Sequence, residues 1–238
     1  MKTTDNALNF ICVLVFGAFL FSSCATVPND QRIDDIPMYG QPEMPRPEFL
    51  QKADEDLIKK AAKKFGSREA ASDAWAKVAD DYFQEGNYHY AMRRYNQAWL
   101  LDPQNYWPYW GFGQIMMVRK KYDKAIIYYE KAAALVDDEF QKPAVFNDAG
   151  LAYSWWARNQ ENGTAERDRC FKMANQFFQK SAELDDSYTL VWEAWARSLY
   201  EEGNYAEAWV KVDKARSAGR TVHPKLIERL SSKMPEPK

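Results

Sequence analysis

The stretch Trp75-Ala-Lys-Val78-Ala79-Asp-Asp-Tyr82-Phe-Gln-Glu-Gly86-Asn-Tyr88-His-Tyr-Ala91-Met-Arg-Arg-Tyr95-Asn-Gln-Ala98, closed by Pro103, decides the fold. Trp75, Val78, Ala79 and Tyr82 recur at three, four and seven residues, which is one stripe of a helix. Ala91, Tyr95 and Ala98 draw the same stripe on a second helix. The small residues Ala79 and Ala91 mark where the two helices cross; a larger side chain there would cost about 1–3 kcal/mol in overpacking. The aromatics Trp75, Tyr82 and Tyr95 fill the space around that close contact. Gly86 accepts the left-handed conformation that ends the first helix, and Pro103 stops the second.

The pattern returns 34 residues later as Tyr109, Phe112, Gly113, Met116, Lys120, Tyr122, Ala125, Tyr129, Ala132 and Asp137. A further copy reads Trp192, Trp195, Ala196, Leu199, Gly203, Tyr205, Ala208, Val212 and Ala215, and its turn Glu202-Gly203-Asn204-Tyr205 repeats Glu85-Gly86-Asn87-Tyr88. Between them lies an irregular copy: Phe146, Ala149, Gly150 and Tyr153, then Ala174, Phe178 and Ser181, separated by twelve extra residues around Asn159–Thr164. Either both helices are lengthened or the connecting turn is a longer loop; longer helices joined near Asn162-Gly163 are the favoured reading. A period of 34 predicts stacked helical hairpins. Such a stack binds other molecules along a concave face, which points to recognition more than to catalysis.

These residues resemble the tetratricopeptide repeat, whose pattern runs Trp-x2-Leu-Gly-x2-Tyr, Ala-x3-Phe-x2-Ala, Pro. The first copy departs at Val78 and Ala79, where Leu and Gly are usual, and the matched units cover about two thirds of the chain. The resemblance implies an all-α protein: a right-handed α-solenoid of tetratricopeptide-type hairpins with flanking capping helices. Its units would span about 72–105, 106–139, 143–188 and 189–222 within a domain over 48–233, leaving 234–238 as a tail. Leu50, Ala53, Leu57, Ala61 and Phe65, ended by Gly66, form a stripe suited to the front of the stack. Val222, Leu226 and Leu230 form one for the back.

Residues 7–21 are the long apolar run of the chain, at fifteen residues too short to span a bilayer comfortably. Their length suits a secretory signal. Leu20-Phe21-Ser22-Ser23-Cys24 follows and resembles the lipobox of bacterial lipoproteins, with Phe21 where leucine is usual and a thin positive region at Lys2. That resemblance implies cleavage after residue 23 and lipidation of Cys24, with membrane attachment through its acyl chains. A plain cleaved signal and an uncleaved anchor are the alternatives. Ala25 lacks the aspartate of inner-membrane retention, so an outer-membrane anchor facing the periplasm is expected. Residues 24–47 carry five prolines (Pro28, Pro37, Pro42, Pro45, Pro47) and read as an extended, semi-rigid tether.

The 32 basic and 34 acidic side chains are mixed, with no basic stripe of the kind nucleic acid requires. Arg119-Lys120-Lys121 with Lys124 is the densest basic cluster, at the turn of the second unit. Cys170 is left without a disulfide partner and reads as a structural thiol. His89 and His223 fall in different units without metal-ligand spacing, and no phosphate loop or nucleophile elbow is present. No enzyme, cofactor or metal is expected.

In the resembled family the first helix of each hairpin lines the groove. The matching positions are Asp73, Ala76, Asp80, Phe83 and Gln84; Trp107, Trp110, Gln114, Met117 and Val118; Ala144, Asn147, Leu151, Ser154 and Trp155; and Leu190, Glu193, Arg197, Tyr200 and Glu201. Hairpin packing does not require Trp107, Trp110 or Trp155, and exposed aromatics mark binding surfaces. Trp107, Trp110, Gln114, Met117, Asn147, Leu151, Trp155, Arg197 and Tyr200 are therefore the candidate contacts for a partner. The lysine–asparagine clamp of chaperone-binding members is absent, since Ala76, Asp80, Gly111, Ala144 and Asp148 stand there. The expectation is a lipid-anchored adaptor holding an envelope protein or peptide. A glycan-binding module using the groove tryptophans, or a structural subunit that associates with its own copies, are the other readings.

Overall fold

The computed structural model describes residues 32–237, and every regular element among them is helical. Ten α-helices follow in order: α1 (Glu48–Phe65), α2 (Arg68–Gln84), α3 (Tyr88–Leu101), α4 (Tyr106–Val118), α5 (Tyr122–Leu135), α6 (Lys142–Arg158), α7 (Ala165–Leu184), α8 (Leu190–Glu202), α9 (Tyr205–Ser217) and α10 (Pro224–Ser231). They pair as α2/α3, α4/α5, α6/α7 and α8/α9, four antiparallel hairpins stacked into an α-solenoid. The longer third hairpin joins α6 to α7 through Asn159–Thr164, with Gly163 left-handed at φ +77°. No helix among the described residues is long and apolar enough to cross a membrane.

Local chemistry sets the helix ends. The Ser67, Asn87, Asn105 and Thr164 side chains each accept a backbone N–H from the first turn of the helix that follows. Gly86 and Gly203 take the left-handed corner at φ +76° and +96°, whereas the second unit puts Lys120 there at φ +56°. Such a conformation costs a side-chain-bearing residue about 1–2 kcal/mol, so the second turn is locally strained.

Close helix crossings are made by small residues, as the repeat demands. A β-carbon on Gly111 would lie 2.1 Å from Tyr95 Cζ, and one on Gly113 would lie 2.7 Å from Tyr129 Cδ1. The continuous core runs from Ala79 to Val191, and a second cluster surrounds Trp209 with Val212, Val222, Leu226 and Leu230. Trp192 and Trp195 pack against both. Ala61, Ala71 and Leu101 close the front beneath α1, and Leu226 and Leu230 of α10 close the back. Burying each leucine contributes about 1.5–3 kcal/mol. The stretch after residue 233 is tied to the same end, because Trp209 Nε1 donates to the Met234 carbonyl at 3.1 Å.

The extended tether expected over 24–47 is corrected for its described part. Residues 32–46 fold back on α3, making short 3-10 turns at Ile33–Asp35 and Pro37–Gly40. The reason lies on α3, where Asn96 is fully buried and needs hydrogen-bond partners. Its Nδ2 donates to the carbonyls of Asp34 (3.0 Å) and Ile36 (2.9 Å), and its Oδ1 accepts from the Tyr39 amide (3.4 Å). Tyr39 is buried beneath the Arg46 guanidinium, 3.9 Å from its ring centre, and Arg46 in turn pairs with Asp54 of α1 at 2.6 Å. Arg93 reaches Asp34 at 2.9 Å and Arg119 reaches Asp35 at 2.6 Å, so Arg119 is not part of a free basic cluster. Residues 1–31, with the signal and Cys24, lie outside the described residues.

Candidate functional site: the concave trough

Helix α4 carries four of the candidate contacts, Trp107, Trp110, Gln114 and Met117. Both indoles are half-buried against the core and spend their N–H groups on the neighbouring units. Trp107 Nε1 donates to Asp80 Oδ2 of α2 at 2.9 Å; Trp110 Nε1 donates to Asp148 Oδ2 of α6 at 2.9 Å. Asp80 also accepts the Tyr95 hydroxyl. Two carboxylates thus lace three hairpins together through indole N–H groups. Desolvation raises the Asp80 carboxyl against those two hydrogen bonds. At Asp148 desolvation pushes the carboxyl up to about 6, opposed by hydrogen bonds from Trp110, Asn147 and Gln114.

Beside this lattice the hollow stays open. Phe83, Gln114, Met117, Val118 and Leu151 surround a recess of about 230 Å³, with Asp148 and Tyr129 also on its wall. It is an apolar slot with one carboxyl and one amide, the composition of a ligand site with few polar anchors. Neither the 32–46 segment, which lies on α3, nor α10, which covers the far end, is among its walls.

The nine candidate contacts do not form one surface. Gln114, Met117 and Leu151 share the recess. Asn147 is withdrawn from it, at 4 % exposure, with its Nδ2 turned to Asp148 at 3.3 Å; the sequence assigned it a partner contact that the packing denies. Trp155 is 36 % exposed, stacks on Tyr122 with ring centres 5.8 Å apart, and has the Arg158 guanidinium 4.3 Å from its ring. Trp155 and Arg197 belong to a second pocket, of about 300 Å³, with Arg158, Glu201, His223, Lys225, Leu226 and Arg229. Tyr200 flanks it beneath Arg229, 4.5 Å from the ring centre. Near the start of α4, Trp107 also borders an acidic recess with Glu69, Asp73, Asp102, Asp137 and Asp138.

Asp148 as the partner of Trp110, and Tyr122, Arg158 and Arg229 as the surroundings of Trp155 and Tyr200, are not legible in the sequence. One signal was available: Arg158 follows Trp155 by three residues on one helix, a spacing at which side chains meet. The remaining chemistry-bearing groups have structural work. Burial pushes the Cys170 thiol up to about 11, which keeps it unreactive. His223 Nδ1 accepts the Lys225 amide at the start of α10, and His89 lies 3.3 Å from Asp35. No group of three metal-ligating side chains occurs among the described residues.

No family model matches the sequence, and no curated protein matches it. Solved structures do. PilF of Pseudomonas aeruginosa superposes with a TM-score of 0.52 at 20 % identity, over 78 % of this chain and 86 % of that one. YrrB, a TPR protein with an unusual peptide-binding site, gives a TM-score of 0.51 at 16 % identity, over 75 % and 93 %. The chain therefore has the tetratricopeptide-type fold expected from its repeats.

Proposed function

We propose that this chain is a lipid-anchored envelope adaptor that holds a peptide or protein partner in its concave trough. The observation that carries the reading is the open recess between Phe83, Gln114, Met117 and Leu151, floored by a carboxyl and left unfilled by the described chain. An extended segment entering it would bury apolar groups against Met117 and Leu151 and find polar partners in Gln114 and Asp148. That YrrB, of similar fold, has a peptide-binding site supports this use of the hollow. A sugar-stacking platform is less well supported, because Trp107 and Trp110 are packed against the core and Trp155 is already stacked on Tyr122. Attachment through Cys24, an outer-membrane location facing the periplasm and a non-enzymatic role complete the proposal from the sequence.

A photo-crosslinking residue in place of Met117 tests it in intact cells, with Ile127, 62 % exposed on α5, as the control position. The expected result is a discrete adduct at position 117 that is missing at position 127. Equal adducts at both, or none at 117, overturns the trough as the contact. Incorporation of labelled fatty acid that disappears in Cys24→Ala tests the anchor separately.

A further inference from the structure

The second pocket has a composition that the trough does not share. Four permanent cations, Arg158, Arg197, Lys225 and Arg229, line it against one carboxylate, Glu201. Glu201 is already engaged: Arg229 Nη2 lies 3.1 Å from its Oε1 and Arg158 Nε lies 3.6 Å from its Oε2. Arg197 is held by Glu193 at 2.9 Å, and that carboxylate also lies 3.5 Å from Arg220. Lys225 forms no ion pair among the described residues, and the pocket keeps a clear positive excess. Clustered like charges in a recess repel one another, and an anion that enters relieves that repulsion.

We infer that this corner, between the ends of α6 and α8 and the start of α10, is a subsite for a carboxylate-bearing segment of the protein partner. The inference rests on the trough reading and gives its ligand a chemical character at one end. Three features select an acidic peptide over other anions. Leu151, on the trough wall, and Trp155, on the wall of the corner, are four residues apart on α6, about 6 Å along the helix. A chain lying in the trough therefore continues directly into the basic corner. The walls include the exposed edge of Trp155 and the side chain of Leu226, which favour the aliphatic stem of a glutamate over a hydrated inorganic ion. The pocket that the cations line, of about 300 Å³, is large enough for side-chain carboxylates. Arg158 and Arg229 offer planar guanidinium groups suited to paired contacts with carboxylate oxygens.

The test uses the full chain in non-ionic detergent and fluorescein-labelled hexaglutamate and hexalysine, followed by fluorescence anisotropy. Hexaglutamate is expected to bind and hexalysine not to bind, with affinity falling at least tenfold as salt rises from about 50 to about 300 mM. The double variant Lys225→Glu/Arg197→Gln is expected to weaken hexaglutamate at least tenfold. Lys59→Glu, which repeats on exposed α1 the charge reversal made at Lys225, should leave it within twofold. Absence of hexaglutamate binding, or an equal loss in the Lys59 variant, overturns the subsite. Binding of phosphatidylglycerol vesicles that the double variant abolishes, with no hexaglutamate binding, overturns the peptide in favour of a membrane surface. Loss of the position-117 crosslink with hexaglutamate binding retained refutes the trough alone, and loss of hexaglutamate binding with that crosslink retained refutes the corner alone. Failure of the trough and failure of the corner are thereby read separately.

Discussion

Replacing Asp148 by asparagine removes a charge that the fold tolerates only at a cost. The carboxyl is pushed from its ordinary 3.8 to about 6 because desolvation outweighs the hydrogen bonds from Trp110, Asn147 and Gln114. At 1.36 kcal/mol per unit, this penalises the ionised native state by about 3 kcal/mol. The sign follows from proton linkage. Below pH 3.8 native and unfolded chains both hold the proton, and the penalty vanishes; it grows as pH rises and is complete above about 6. Asparagine is neutral throughout, and its Oδ1 still accepts the Trp110 indole. Its new amide would face Asn147, whose Oδ1 has no partner, so a turn of that side chain satisfies both. Asp148→Asn should therefore stabilise the protein by about 2–3 kcal/mol near pH 8 and change it by less than about 0.5 kcal/mol near pH 4. Near pH 8 this corresponds to a Tm rise of about 4–10 °C for a chain of this size. Urea unfolding followed by circular dichroism at the two pH values measures both numbers. A variant less stable near pH 8, or equally stabilised at both, would refute the assignment of Asp148 as a strained, desolvated carboxylate.

Other perturbations probe the remaining contacts. Gly111→Ala should cost about 2–3 kcal/mol in the same unfolding assay, because Tyr95 is fully buried, its hydroxyl is bound to Asp80, and it cannot retreat from the new methyl. Unchanged stability would mean that α3 and α4 move apart freely. Lys120→Gly should stabilise by about 1 kcal/mol, since it relieves a left-handed φ of +56°; a loss of stability would show that the lysine side chain compensates for the strain. Asn96→Leu should release the 32–46 segment, seen as rapid tryptic cleavage after Arg32 while the repeats stay resistant. Protection equal to wild type would show that the ion pairs of Asp34 and Asp35 hold the segment unaided.

The fold was legible because the repeat carries its own geometry. The spacing of Ala79, Ala91, Gly113 and Ala125 identified the helix crossings, and the stripe Val222, Leu226, Leu230 identified the back cap, all buried in the structure. The trough was legible only in part. Trp107 and Trp110 are surplus to their own hairpin, but their partners Asp80 and Asp148 come from adjacent units. Which side chains meet across units depends on the pitch of the stack, and no single repeat encodes it. The 32–46 segment misled for another reason. Prolines and acids describe what that stretch does alone, whereas its position answers the demand of a buried amide at Asn96, sixty residues away from Ile36.

The trough itself is tested most directly by filling it. Met117→Arg places a long cationic side chain in the recess between Phe83, Gln114 and Leu151 without altering the helix that carries it. Titrated calorimetrically with the peptide mapped by crosslinking at position 117, the variant should lose at least a hundredfold in affinity while its Tm stays within about 4 °C of wild type. Retained affinity in a folded variant would place the partner elsewhere on the solenoid and contradict the account.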